Sequence, residues 1–205
     1  MLKSDETKRH LLLIAKEEFL EKEFNNASVR NIAKKAGLTT GAIFRYYKTK
    51  EELFNALVAP AADTLIEHFK EAQKAHNDLI SEQKTDRSIE LSTDYLNQFI
   101  RYIYSNYDAF KLIICSSEGT QYDSYIHDLV ELEVSQSELY FEKLRKLEKL
   151  EGKVSHELLY MITSAYFTAV FETIKMNMNE ERAIEYVNEL ASFFNHGWMG
   201  LLNFK

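Results

Sequence analysis

Apolar residues recur at Val29, Ile32, Ala33 and Ala36, the spacing of one helix face. Ser28 stands just before that face, where a hydroxyl can accept a free helix-terminal N–H. Gly37 follows the face, at the place where a left-handed residue commonly ends a helix. Leu38 can plug the corner, and Thr39 can cap a second short helix with Ile43 and Tyr47 turned inward. The pattern predicts a helix-turn-helix, whose second helix is suited to a DNA major groove.

The same periodicity continues along the chain. A first helix is expected over about Asp5–Phe24, with Leu11, Leu12, Ala15 and Phe19 inside. A fourth helix opens at Thr49 with a capping box to Glu52 and carries Leu53, Leu57, Ala61, Leu65 and Phe69. Pro60 falls inside it, so a kink or split is expected there, and with it a joint for passing a signal. Residues 76–88 are polar and read as a loop. Further helices are expected over about 89–105, 108–115, 124–149, 155–176 and 180–202, with a loop at 116–121 and a break at Gly152. The prediction is an all-α fold of nine helices, three in a head and six in a body.

Composition supports that reading. One proline and six glycines in 205 residues suit long helices. The single cysteine, Cys115, allows no internal disulfide and reads as a buried small hydrophobe. The polar, acidic start is no signal peptide, and no apolar run approaches the ~20 residues of a membrane helix. A cytoplasmic protein without membrane contact is expected. The net charge of −7 would argue against a nucleic-acid partner. Its distribution reverses the argument, because residues 1–50 carry eleven Lys+Arg against six Asp+Glu, while the remainder is acidic.

The string Gly37-Leu38-Thr39-Thr40-Gly41-Ala42-Ile43-Phe44-Arg45-Tyr46-Tyr47, followed by Lys48-Thr49-Lys50-Glu51-Glu52-Leu53, resembles the DNA-binding motif of the TetR family of bacterial repressors. Phe44 stands where tyrosine is common and Tyr47 where phenylalanine is common. The resemblance implies a helix-turn-helix DNA-binding domain over residues 1–49 and a helical ligand-binding and dimerisation domain over 50–205. It also implies DNA-backbone contacts from Ser28, Thr39, Tyr46 and Lys50, and base-edge contacts from Arg30, Thr40, Ala42 and Arg45. The chemistry agrees in type, since arginine suits guanine and small methyl-bearing side chains suit thymine. Gly41 lets the helix approach closely, and Phe44 completes the face without a hydroxyl.

The body is rich in aromatic residues, and the family uses this region as an inducer cavity. Tyr95, Phe99, Tyr102, Phe110, Tyr122, Tyr166 and Phe167 are its expected lining, with tyrosine hydroxyls as polar handles. Glu118 and Glu172 are candidate attractors of a cationic ligand. The last two helices are apolar over more than one stripe and so have a second surface to bury. By resemblance they form a homodimer interface, with Leu158, Ala169, Val187, Leu190, Phe194 and Trp198 as its expected members. The expected partners are a palindromic double-stranded DNA operator, a small-molecule inducer and a second copy, with no cofactor. The alternative is a ligand-independent DNA-binding or protein-interaction member of the same fold. An enzyme is not expected: no histidine has a glutamate three residues before it, as a di-iron site would use, and no phosphate loop or nucleophile elbow appears.

Overall fold

The structure is a computed structural model that describes residues 2–82, 84 and 87–203. Among these residues it contains nine helices and no β-sheet: α1 (Leu2–Asn26), α2 (Val29–Lys35), α3 (Thr40–Tyr46), α4 (Lys50–Ser81), α5 (Ser88–Ser105), α6 (Tyr107–Cys115), α7 (Tyr125–Lys146), α8 (His156–Lys175) and α9 (Glu180–Leu202). The all-α expectation holds. No helix among the described residues is long and apolar enough to cross a membrane.

The chain divides into two compact units. The first comprises residues 1–64 and 106–125. It therefore extends past the three head helices and takes in the start of α4, all of α6 and the turn after it. Phe19, Phe24 and Phe54 stack in its centre, the Phe19 and Phe54 rings edge-on at 5.2 Å. Phe110 and Leu112 of α6 are fully buried in this unit. The Phe24 N–H donates to the Ser116 carbonyl at 2.9 Å, and Lys16 pairs with Asp108 at 2.6 Å. Buried Glu18 ties α1 to α2 by accepting from Lys35 and Asn31. The Lys35 hydrogen bond outweighs burial and holds this carboxyl below its ordinary range.

Of the expectations for α4, a split at Pro60 and a loop from residue 76 do not occur. α4 runs as one helix from Lys50 to Ser81. Proline removes only one helical donor, and buried Phe54, Val58, Ala61 and Ala62 flank it on both sides. The polar stretch from residue 76 does not end the helix either. His76, Asn77 and Ser81 turn their side chains back onto the carbonyls four residues earlier. Ile80 then anchors the last turn in an apolar cluster with Leu144, Leu150 and Leu202. Of the expected loop, residues 83, 85 and 86 lie outside the described residues.

The second unit comprises residues 65–105 and 126–205, with α9 packed on α5 and α8. Ser155 and Asn179 cap α8 and α9 by accepting from Leu158 and Arg182. Asn177 at φ 53° closes α8 in a left-handed turn. At Gly152 the backbone runs against the end of α9, its N–H donating to the Leu202 carbonyl at 2.7 Å. A Cβ there would lie 2.4 Å from the Leu201 carbonyl oxygen, which is why only glycine fits.

Candidate nucleic-acid interface

The turn between α2 and α3 is built by local hydrogen bonds. Ser28 caps α2 by accepting from the Asn31 N–H, and Thr39 caps α3 by accepting from the Ala42 N–H. Gly37, at φ 66°, ends α2. Its N–H donates to Lys34 and the Leu38 N–H reaches back to Ala33, the paired bonds of a Schellman turn. Ile32, Ala33, Ile43 and Tyr47 are buried, so α3 is anchored by one face. The opposite face is turned outward: Thr39, Thr40, Gly41, Arg45 and Tyr46 are exposed, Phe44 is 44% exposed, and Ala42 is half-buried. Arg30 on α2 is exposed, while Ser28 is half-buried at its cap. The first unit thus displays nearly the whole expected reading set on one short helix and its approach.

Lys50 is placed differently. Its ammonium donates to the carbonyls of Phe24 at 2.6 Å, Asn25 at 3.3 Å and Ala27 at 3.3 Å, and sits 4.4 Å from the Phe24 ring centre. A lysine has three donors. All three close the end of α1, and none is left for a phosphate in this arrangement. Burial pushes the Lys50 pKa down. Lys48 beside it is exposed, a basic residue that the sequence pattern did not single out. The capping box of α4 forms with a one-residue shift: the Glu52 N–H donates to Thr49, but the Glu52 carboxylate accepts from the Lys48 N–H.

The second unit holds a cavity of about 620 Å³. Its walls come from α4, α5, α7, α8 and α9. Tyr95, Phe99, Tyr166 and Phe167 line it, as do Tyr140, Phe141, Phe194 and Trp198. Phe69 and Phe99 stack face to face at 4.5 Å, and Tyr166 meets Phe194 edge-on at 5.1 Å. The polar lining is sparse. His76 Nδ1–H donates to the Ala72 carbonyl, while Nε2 bonds the Ser92 hydroxyl. Glu133 lines the wall and accepts from Ser137. Burial pushes the Glu133 carboxyl up from its ordinary range, and burial together with the nearby Glu133 pushes the Tyr166 hydroxyl up.

Residues 11–57 match the family model for bacterial regulatory proteins of the tetR family. An HTH-type transcriptional regulator of Staphylococcus aureus is 31% identical over 94 residues, 46% of this chain and 48% of its own. The HTH-type transcriptional activator FasR of Mycolicibacterium smegmatis is 26% identical over 108 residues, 51% of this chain and 48% of its own. The head of the chain, residues 11–57, is thus similar to the DNA-binding domain of the TetR family. The chain spans about half the length of the curated relatives it matches. Among solved structures, NalD, the secondary repressor of the MexAB-OprM multidrug efflux pump in Pseudomonas aeruginosa, is similar with a TM-score of 0.63 at 17% identity, over 93% of this chain and 96% of NalD. FadR from Bacillus subtilis in complex with stearoyl-CoA is similar with a TM-score of 0.57 at 14% identity, over 90% of this chain and 95% of FadR. At these identities the likeness is one of fold.

Three of the expected cavity residues lie elsewhere. Phe110 and Tyr122 belong to the core of the first unit, where Tyr122 bonds Asn55 and packs near Phe54. Tyr102 is absent from the cavity wall and sits edge-on to His68. Neither Glu118 nor Glu172 lines the cavity: Glu118 is exposed, and Glu172 pairs with Lys175. Sequence reasoning missed Glu133. The available signal was a carboxylate on an apolar stripe, since Glu133 falls in line with Leu129, Tyr140 and Leu144 along α7. The expected dimer residues also divide. Leu158 is exposed, and Ala169 and Leu190 are half-buried. Val187 is 1% exposed within its own chain, while Phe194 and Trp198 face the cavity. The side chains that α8 and α9 leave outside include Met161, 66% exposed, and Phe193, 74% exposed.

Proposed function

We propose that the chain is a cytoplasmic transcriptional repressor that binds a palindromic double-stranded operator as a homodimer and is released by a small-molecule inducer. The observation that carries the reading is α3: held by Ile43 and Tyr47, it turns Thr40, Phe44 and Arg45 outward. The TetR-family head supports DNA as the partner. On this reading the head is residues 1–49, and residues 50–205 carry inducer binding and dimerisation. Arg30, Thr40, Ala42 and Arg45 face base edges, while Ser28, Thr39, Gly41, Phe44 and Tyr46 meet the backbone or allow close approach. The cavity of the second unit holds the inducer. It favours release by binding one of two conformations better than the other. The exposed apolar residues of α8 and α9 support the second copy, which a two-fold operator requires. We propose no catalytic role and no cofactor.

The test is selection of bound fragments from a genomic pool, followed by titration of the selected site. Arg45→Ala is expected to cost about 1–3 kcal/mol of binding and to relax base preference. If each head neutralises about three phosphates, log K falls with log salt at a slope of roughly −5. Failure to enrich any fragment, or a salt-insensitive complex, refutes the reading.

A further inference from the structure

Among the described residues, Glu133 is the one acidic side chain on the cavity wall, and no lysine, arginine or histidine pairs with it. Its polar neighbours are neutral: Ser137, Gln73 and the Tyr166 hydroxyl. Lys149 also lines the cavity, but it lies beyond the end of α7. Its backbone N–H bonds the Leu144 carbonyl, which at 1.5 Å per residue lies about 16 Å along α7 from Glu133, out of reach of a lysine side chain. Glu133 keeps some accessible surface although the surrounding helices desolvate it, because that surface faces the cavity.

A carboxylate in an apolar wall is costly unless an opposite charge meets it. The rings around the cavity offer negative π-faces, which attract a cation and do nothing for an anion. Phe99, Tyr140, Tyr166, Phe194 and Trp198 are among the rings that line it. We infer that the cavity takes a bulky organic cation, with Glu133 as its counter-ion and the aromatic walls around its apolar body. The volume, about 620 Å³, suits a drug-sized molecule. A cation at this place draws Glu133 into its charged form, whereas an acyl carboxylate or phosphate gains nothing from it. The assignment rests on the reading of the cavity as the inducer site and names the chemical class that it selects.

Tetraphenylphosphonium and tetraphenylborate have nearly the same size and shape and opposite charge, so they isolate the role of charge. Nile red, a neutral aromatic dye, reports whether the cavity admits a ligand at all. Each is titrated against the full chain by calorimetry or fluorescence. The expected result is that the phosphonium binds at least tenfold more tightly than the borate. Glu133→Gln, which keeps shape and removes charge, should erase that preference and leave Nile red binding unchanged. Should Nile red enter while the borate binds as well as the phosphonium, the cation assignment is overturned and the cavity reading stands. The cation assignment is equally overturned if Glu133→Gln leaves the phosphonium affinity intact. If none of the three binds, both fall. The wild-type contrast needs no variant and decides the matter even if Glu133→Gln folds poorly.

Discussion

The Lys50 ammonium has three hydrogens and donates them to three carbonyls at the end of α1. The last turn of a helix leaves carbonyls short of intrahelical donors, and the ammonium adds donors there. Hydrogen bonds from a charged donor contribute about 1.5–3 kcal/mol. Lys50→Ala is therefore expected to destabilise the first unit by roughly that amount, read as a lower denaturation midpoint. Weaker DNA binding with unchanged stability would show instead that this lysine leaves its carbonyls for the phosphate. Tyr47 is the opposite case. Its ring fills the core, but its buried hydroxyl has no hydrogen-bond partner. An unmet buried polar group costs about 1–3 kcal/mol. Tyr47→Phe keeps the ring and removes that cost, so stability should rise by about 1 kcal/mol in urea unfolding.

At the scale of elements, α4 shows how tertiary contacts override local signals. Proline and a polar run both argue for a break, yet the helix continues because buried residues hold it beyond each. Gly152 shows the reverse, a local residue on which a tertiary contact depends. The chain there passes so close to the end of α9 that a methyl group would overlap the Leu201 carbonyl. Gly152→Ala is expected to cost about 1–3 kcal/mol, the usual cost of forcing extra volume into a packed site. It should also loosen the cluster of Leu150 and Leu202. Hydrogen exchange at the Gly152 amide, which donates to Leu202, reads this directly. An unchanged exchange rate would contradict the packing argument.

For the whole molecule, the decisive question is which apolar residues are spare. Phe193 is exposed although it is large and apolar, whereas Phe194 beside it is turned to the cavity. A charge at Phe193 therefore leaves the chain's own core untouched and should block pairing of two copies. Phe193→Asp is expected to yield a folded monomer with unchanged helical content, measured by sedimentation and circular dichroism. A variant that stays dimeric places the interface elsewhere. Val187→Asp would not make this distinction, because it puts a charge inside the chain.

The sequence by itself determined the local features. Caps at Ser28 and Thr39, the left-handed turn at Gly37 and the inward face of α3 depend on residues within four or five positions of one another. Their geometry follows from spacing. That is why the helix-turn-helix and most helix limits were legible from the chain alone. Only the tertiary structure decided which aromatic residue lines the cavity and which fills a core. Phe99 and Phe110 look alike along the chain, and their surroundings come from helices distant in sequence. The same holds for Lys50, whose partners lie 23–26 residues away. It holds also for Glu133, whose place in an apolar wall depends on five helices meeting around one cavity. Periodicity reports which face of a helix is buried, but what that face meets depends on the packing of the others.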